Sequence, residues 1–204
     1  MSQYLNYSDN ISTDRLRDIH TFFQLTDGMI SIEEGLVLYS LASQVQSGCI
    51  VEVGSYRGRS TVFLGQGSLA GHGAPVYAID PHKPFVGVLG GIFGPIDRTA
   101  FYKTMLITGC SEIVSLINLS SEMVVPKWSE PVALLWIDGD HSYAGVKRDF
   151  ECWLPHVAEG ACIAFDDSTD PVLGPRILIN ELLATQEYEE CLSVGKVSVI
   201  KKKS

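Results

Sequence analysis

The chain has 204 residues, of which 46% are hydrophobic and 19% charged, and its formal net charge is −9 at pH 7. These values predict one soluble globular domain, and the acidity argues against a nucleic-acid partner, which would require a basic face. Five cysteines without a Cys-x-x-Cys pair favour reduced thiols in a cytoplasmic protein over a zinc site. No apolar run is long enough for a membrane span, and no secretory signal pattern is present.

The N-terminal part, residues 1–45, is predicted to be a helical cap or arm that precedes the main domain at 46–204. Apolar residues recur at helical spacing after Ser12, a residue type that caps helices. The stretch Ser31-Ile-Glu-Glu34 is a capping box and predicts a second helix to about Gln46. This part could cover a ligand, form the arm of a homodimer or simply pack on the domain.

A strand, a glycine turn and a helix follow one another over residues 50–69. Ile50 to Val53 form the apolar strand, Gly54 to Gly58 the turn, and a helical pattern begins at Ser60. This order is typical of the first unit of a nucleotide-binding α/β sheet. The glycines would let the backbone approach a ligand, and the helix N-terminus offers N–H groups to an anion. The alternative is an ordinary βα turn.

The next strand, 76–79, ends at Asp80, which lies 22 residues beyond Gly58. Nucleotide-binding sheets place the acid that binds ribose hydroxyls at about this position, although a plain turn aspartate is the alternative. Residues 81–96 then form a long loop rich in glycine, proline and apolar residues. Because long loops in compact domains are often functional, we expect it to close over a ligand. A helix is predicted at 97–108.

The remaining chain continues the alternation of strands and helices. Strands are predicted at 113–117, 132–137, 161–165, 188–194 and 197–200, and helices at 142–154 and 175–183. The last two strands flank the two-residue turn Gly195-Lys196, which predicts a hairpin. The fold class is therefore α/β, a three-layer α/β/α Rossmann-like sandwich. Its mostly parallel seven-stranded sheet ends in a C-terminal antiparallel hairpin.

Three of the predicted parallel strands end in aspartate, at Asp80, Asp138 and Asp166. Parallel strands bring these carboxylates to one edge of the sheet, where ligands bind, and Asp140 and Asp167 add charge there. Such a cluster requires a cation, a shared proton or hydrogen-bond donors. Hard oxygen ligands favour Mg²⁺, Ca²⁺ or Mn²⁺ over zinc.

The stretch Glu52-Val-Gly-Ser-Tyr-Arg-Gly58 resembles the first motif of class I S-adenosylmethionine (SAM) methyltransferases, with Tyr56 in place of the middle glycine. The resemblance, over residues 46–200, implies that Glu52 faces the ammonium of SAM and that the adenine lies near Ser120 and Ser121, which could instead cap a helix. The implied SAM contacts are Glu52, Gly54, Ser55, Tyr56, Gly58, Ser60, Asp80, Ser120, Ser121 and Asp138.

The stretch Ile137-Asp-Gly-Asp-His-Ser-Tyr143, with Lys147-Arg-Asp149, is similar to the methyltransferase domain 24 group and to metal-dependent O-methyltransferases. By that likeness Asp138, Asp166 and Asp167 would hold a divalent cation, most simply Mg²⁺. His141 stands where the catechol type has a basic lysine, so His141 and Asp138 are the candidate catalytic residues. A structural role for His141, as a helix cap, is the alternative.

The sequence therefore predicts a SAM-dependent, metal-assisted O-methyltransferase that acts on a small-molecule hydroxyl, such as a sugar, phenol or natural product. An NAD(P)-binding oxidoreductase is the first alternative, but Tyr56 and the missing Tyr-x-x-x-Lys pair argue against it. A non-catalytic SAM-binding module is the second alternative. The expected partner is a small-molecule methyl acceptor, without nucleic acid or membrane, and a homodimer is conceivable.

Overall fold

The computed structural model describes residues 11–203, which form seven α-helices and nine strands. The first ten residues of the predicted cap, and Ser204, lie outside the described residues. The helices are α1 (Thr13–Leu25), α2 (Ile32–Ser43), α3 (Arg59–Ala70), α4 (Pro95–Ile107), α5 (Ser121–Val124), α6 (Tyr143–Trp153) and α7 (Gly174–Ala184). The strands are β1 (Cys49–Val53), β2 (Val76–Ile79), β3 (Phe85–Val86), β4 (Ile92–Phe93), β5 (Val114–Ile117), β6 (Val132–Ile137), β7 (Val157–Phe165), β8 (Tyr188–Val194) and β9 (Val197–Lys202).

Seven strands form one sheet in the order β5-β2-β1-β6-β7-β9-β8. The neighbours from β5 to β7 are parallel, whereas β9 runs antiparallel to β7 and to β8. The predicted α/β fold and its C-terminal antiparallel hairpin are thus confirmed. The strand order reverses between β1 and β6, and ligands of such sheets bind at the carboxyl ends of the strands beside this reversal.

The sheet separates two hydrophobic cores. Ile50 of β1 and Leu134 of β6 face the core that contains α2, α3 and α4. Their chain neighbours Val51 and Leu135 point the opposite way, into the core that contains α6 and α7. Since both faces of the central strands are covered, these strands require nearly continuous apolar sequence, as the chain provides.

The two N-terminal helices pack in the first core. As predicted, Ser12 caps α1, and Ser31 and Glu34 form the capping box of α2. Helix α2 lies against α3 almost backbone to backbone at Gly67. A Cβ placed on Gly67 would be only 2.2 Å from the carbonyl oxygen of Tyr39. Helix α2 therefore belongs to one layer of the sandwich. The division of the chain at residue 45 stays a prediction.

The segment 81–96 differs from the predicted plain loop, because β3 and β4 pair in it as a small antiparallel hairpin. The Gly87 N–H donates to the Gly91 carbonyl across its turn at 2.9 Å. Strands of two residues are too short to show an alternating pattern, so sequence periodicity did not indicate them. Helix α4 also begins earlier than predicted, at Pro95, which needs no N–H at this position.

Candidate active site

A cavity of about 580 Å³ opens at the carboxyl ends of β1, β2, β6 and β7. Its walls also include residues 28–30 and the β3–β4 hairpin, and its volume is in the range of small-molecule sites. Of the ten predicted cofactor contacts, all but Glu52 and Gly58 line this cavity. The carboxyl edge of the sheet therefore brings together most of the predicted site.

The two outer glycines of the motif serve the packing of the turn. Gly54 has φ 85°, and a Cβ there would lie 2.2 Å from the carbonyl oxygen of Asp138. Gly58 has φ 92° and would press a Cβ against Met105 and Phe101. Both glycines therefore permit a close approach of protein atoms, and Gly54 also lines the cavity, so its contact with a ligand stays a prediction.

Glu52 lies beneath the motif turn, fully buried, and does not line the cavity. Its two carboxylate oxygens accept hydrogen bonds from the Ser60 and Thr61 hydroxyls, each at 2.5 Å. Burial raises the pKa of Glu52 to about 8, against the lowering effect of these hydrogen bonds. The geometry does not support the predicted contact with the SAM ammonium and gives Glu52 a supporting role at the start of α3.

Asp80 holds the motif turn through its carboxylate. One oxygen accepts from the backbone N–H groups of Ser55 and Tyr56, both at 3.0 Å, and the other accepts from His82 N–H at 2.7 Å. The buried His82 ring lies 2.7 Å from the Tyr56 carbonyl oxygen through Nε2. These bonds stabilise Tyr56 at φ 47°, a left-handed conformation that is costly for any residue except glycine. The network explains how a tyrosine replaces the middle glycine.

The serines after β5 lie on the wall beyond the Asp80 network. The Ser120 side chain caps no helix, and the Ser121 hydroxyl accepts from Trp153 Nε1 at 3.1 Å. Asp149 of α6 lies beside Ser121, and burial raises its pKa although that serine hydrogen bond lowers it. All three side chains line the cavity. The side chains of these serines thus do not cap the helix: the Ser121 hydroxyl is engaged by Trp153 and Asp149, and contact of either serine with a ligand stays a prediction.

His141 bridges two of the clustered carboxylates. Its Nε2 lies 3.2 Å from Asp138 Oδ1, and its Nδ1 lies 3.0 Å from Asp167 Oδ2. Burial by itself would lower the pKa of His141, but the hydrogen bonds to both carboxylates and their charges raise it to about 10. In this arrangement the ring is an imidazolium at neutral pH and donates on both sides. The structural helix-cap alternative is not seen, because Ser142 caps α6.

Lys196 supplies a second cation to the cluster. Its Nζ lies 2.5 Å from Asp166 Oδ2 and 3.2 Å from Asp167 Oδ1. Burial alone would lower its pKa, but the charge of Asp166 and the hydrogen bond to it raise that pKa above its ordinary value. Lys196 and His141 thus supply positive charge to the cluster, while burial and the charge of Asp138 raise the pKa of Asp166. These two side chains provide part of the countercharge that the acidic residues at the strand ends require.

One oxygen of the cluster keeps free coordination capacity. Asp166 is 1% exposed, and in residues 11–203 its Oδ1 finds no hydrogen-bond donor. Donor atoms of Asp138, His141 and Asp166 lie within 4.8 Å of one another, and a buried carboxylate oxygen with no partner is costly without a ligand. The two carboxylates fit a divalent cation, and His141 fits one only in its neutral form. Asp167, the third predicted ligand, is instead engaged by His141 and Lys196.

The opposite wall of the cavity is apolar. It includes Met29 from the segment before α2, and Phe85, Val88, Leu89 and Phe93 from the β3–β4 hairpin. Met29 and Leu89 are exposed by 61% and 62%, so this wall also forms much of the cavity mouth. One ligand could therefore place a polar group on the acids and apolar surface against the hairpin.

Sequence reasoning missed three residues of the site. Lys196 lies in a hairpin turn, where lysine is common, so no local signal indicated a buried ion pair. His82 and Asp149 carried no assigned role, although both are close in sequence to residues that did. Arg59 donates to the carbonyl oxygens of Thr26 and Gly28 and holds the 28–30 wall.

A sheet of this order, with a motif turn after β1 and acids at the ends of β2, β6 and β7, defines the class I SAM-dependent methyltransferases. The sequence model of the methyltransferase domain 24 family, described as a methyltransferase domain, matches residues 51–168. The chain belongs to this family, and the matched residues form a SAM-dependent methyltransferase domain. This finding sets aside the oxidoreductase alternative.

Solved structures share the fold over nearly the whole chain. The O-methyltransferase of Bacillus cereus, in complex with SAH, is 18% identical with a TM-score of 0.69, covering 99% of this chain and 96% of that chain. TomG of Streptomyces achromogenes, involved in tomaymycin synthesis and bound to SAM, is 16% identical with a TM-score of 0.63, covering 100% of both chains. CalS11, a TDP-rhamnose 3′-O-methyltransferase of calicheamicin biosynthesis, is 17% identical with a TM-score of 0.61, covering 93% and 95%.

Among curated proteins, the uncharacterized protein R132 of Acanthamoeba polyphaga mimivirus is 36% identical over 55 residues. The match spans 26% of this chain and a quarter, 25%, of that protein. Across residues 11–203, no helix combines the length and the apolar character needed to cross a membrane.

Proposed function

We propose that the protein transfers the methyl group of SAM to a hydroxyl group of a small molecule, assisted by a divalent cation such as Mg²⁺. The observation that carries this proposal is one cavity that joins the motif turn and Asp80 to the cluster of Asp138, His141 and Asp166. A cofactor held at the first set of residues and an acceptor held at the second would share a single enclosed space. The names of TomG and CalS11, a sugar methyltransferase in the second case, support a small-molecule acceptor.

Asp80 is the proposed partner of the ribose hydroxyls, and the wall of Ser120, Ser121 and Asp149 is the proposed adenine site. Asp138 lines the same cavity as these residues and as the acidic cluster, and it is the proposed point at which the cofactor and the acceptor would meet. Transfer breaks the bond between the SAM sulfur and its methyl carbon and forms a bond from the acceptor oxygen to that carbon. The acceptor must lose its proton, so the site needs orientation and a base.

His141 and Asp138 are the proposed proton-accepting pair. In the arrangement described above, His141 holds its proton at neutral pH because two carboxylates accept from it. A divalent cation held by Asp138 and Asp166 would favour the deprotonated acceptor and would lower the pKa of His141 through its charge. The chain's own residues orient the acceptor and receive its proton.

The location and assembly of the protein stay proposals. The five cysteines, all in the described part of the chain, are free, which supports the proposed cytoplasmic location. The expectation that no nucleic acid or membrane is a partner rests on the net charge of −9 and the apolar runs. The proposal of a homodimer rests only on the N-terminal segment, which could form its arm.

The test has two stages. Calorimetric titration of the folded protein with SAM and with NAD should show binding of SAM only. Metal-stripped enzyme is then assayed with labelled SAM and a panel of sugar, phenolic and natural-product hydroxyls. We expect transfer to stop in EDTA and to return with Mg²⁺, and we expect Asp166→Ala to lose transfer while it keeps SAM affinity. Full turnover in EDTA would eliminate the cation, and SAM binding without transfer to any acceptor would favour the non-catalytic module.

A further inference from the structure

Lys196 reaches the acidic cluster from an element that no part of the family match covers. It lies in the turn between β8 and β9, outside residues 51–168. Its Nζ is 2.5 Å from Asp166 Oδ2 and 3.2 Å from Asp167 Oδ1, and its side chain is 27% exposed toward the cavity that it lines. The ammonium group of Lys196 therefore forms ion pairs with two of the three carboxylates that are predicted to hold a metal.

The backbone of this turn is fixed on both sides. The Lys196 N–H donates to Glu34 Oε1 at 2.8 Å, and the Lys196 carbonyl oxygen accepts from Ser168 N–H and its hydroxyl, each at 2.9 Å. Gly195 has φ 57°, and a Cβ there would lie 2.2 Å from Glu34 Oε1. The other oxygen of Glu34 accepts from Ser31 N–H at 2.6 Å. The capping box of α2 thus holds the lysine in place.

Lys196 determines which carboxylate oxygens of the cluster are paired with a cationic side chain and which one is left for a ligand. It binds Asp166 Oδ2, whereas Oδ1 of the same carboxylate is buried and has no donor in residues 11–203. It binds Asp167 Oδ1, while His141 takes Asp167 Oδ2. Asp167 has both oxygens engaged by cations, and Asp166 has one oxygen left for a ligand.

We propose that Lys196 is a positioning residue that sets the strength and the ligand set of the cation site. It leaves Oδ1 of Asp166 free to bind the cation and makes Asp167 unavailable as a ligand. It also weakens binding of a divalent cation through its own positive charge. This inference rests on the proposed function, because it concerns the cation of that same cavity. The physical reason is charge repulsion at short range, which is largest where water is partly excluded. Glu34 acts through Lys196 by holding its turn.

The experiment measures Mn²⁺ binding by electron paramagnetic resonance, with the full chain and without an acceptor. We expect Lys196→Met to bind Mn²⁺ at least about tenfold more tightly than the wild type, because a charge within a few ångströms of the site is removed. We expect Lys196→Arg, which keeps the charge, to stay near the wild-type affinity. Lys202→Met is the matched control from the same hairpin, since Lys202 is 64% exposed and pairs with Glu187; it should change nothing.

One further readout, the SAM affinity, separates the possible outcomes. SAM affinity is measured for each variant and should stay within a factor of two or three, which shows that the cavity is folded. If wild type and Lys196→Met bind Mn²⁺ equally, the role of Lys196 is wrong while the proposed cation stands. If neither protein binds Mn²⁺ although both bind SAM, the role of Lys196 and the proposed cation site are both wrong. Methyl transfer without a metal is then the remaining form of the proposed function. Weaker Mn²⁺ binding in Lys196→Met would also overturn the inference.

Discussion

The Phe93 ring meets the Tyr56 ring edge to face, with the ring centroids 5.3 Å apart and the planes at 84°. Phe93 belongs to the β3–β4 hairpin, whereas Tyr56 stands where the related motif has its middle glycine. The residue that departs from the motif is thus the one on which the hairpin rests. A tyrosine here links the turn of the proposed cofactor site to a wall of the proposed acceptor site.

We predict that Phe93→Ala loosens the hairpin. An edge-to-face pair contributes about 0.5–1.5 kcal/mol beyond its buried area, so amide exchange in residues 85–93 should become roughly two- to tenfold faster. Hydrogen–deuterium exchange with mass spectrometry measures it. Ile92→Ala is the control, because Ile92 is 82% exposed on the same hairpin. Equal exchange in both variants would refute the contact, and SAM with an acceptor should slow exchange in the wild type.

Gly54→Ala should destabilise the fold rather than merely weaken SAM binding. The new Cβ would collide with the Asp138 backbone in addition to the cost of a positive φ, which together come to about 3 kcal/mol or more. Gly73→Ala is the matched control, since Gly73 has φ 70° but no atom within 4 Å of a Cβ; it should cost roughly 1–2 kcal/mol. Urea unfolding of both variants measures the difference, and equal losses would show that packing at Gly54 is not limiting.

Asp80→Ala should lower SAM affinity while the protein stays folded. The variant removes the proposed acceptor for the ribose hydroxyls and the acceptor of three backbone N–H groups at the motif turn. The expected loss in binding free energy is ~1–3 kcal/mol, and Asp80→Asn, which keeps one acceptor oxygen, should lose less. Calorimetry with SAM gives the affinity, and circular dichroism checks the fold. Unchanged affinity in folded Asp80→Ala would contradict the assignment.

Glu52 should make stability depend on pH. Its ordinary pKa is 4.5 and its folded value is about 8, so between these pH values the folded chain holds a proton that the unfolded chain releases. The stability contributed by Glu52 is therefore fully present below pH 4.5 and is lost as pH rises to about 8. Glu52→Gln carries no such proton, so its free energy of unfolding relative to wild type should rise by up to a few kcal/mol between pH 5 and 8. Urea titrations at several pH values measure this, and a constant difference would disprove it.

The sequence by itself determined the order of the seven strands of the main sheet and of the helices between them, because local periodicity, caps and glycine turns encode these elements; it did not indicate the β3–β4 hairpin. It also placed Asp80, Asp138 and Asp166 at one edge, since parallel strands have a common polarity. The motif around Glu52 and Gly58 indicated the correct class of cofactor. The motif did not indicate which of its own residues face the cofactor.

Only the tertiary structure decided what the buried charges do. Lys196 meets Asp166 and Glu34 across 30 and 162 residues of chain, and no local pattern records a contact between elements so far apart. The burial that raises the pKa of Glu52 depends on how α3 packs above β1, and the countercharge on Asp167 depends on where the β8–β9 turn ends. Local sequence specifies which groups stand at each strand end; the packing of distant elements specifies their partners, and with them their charge.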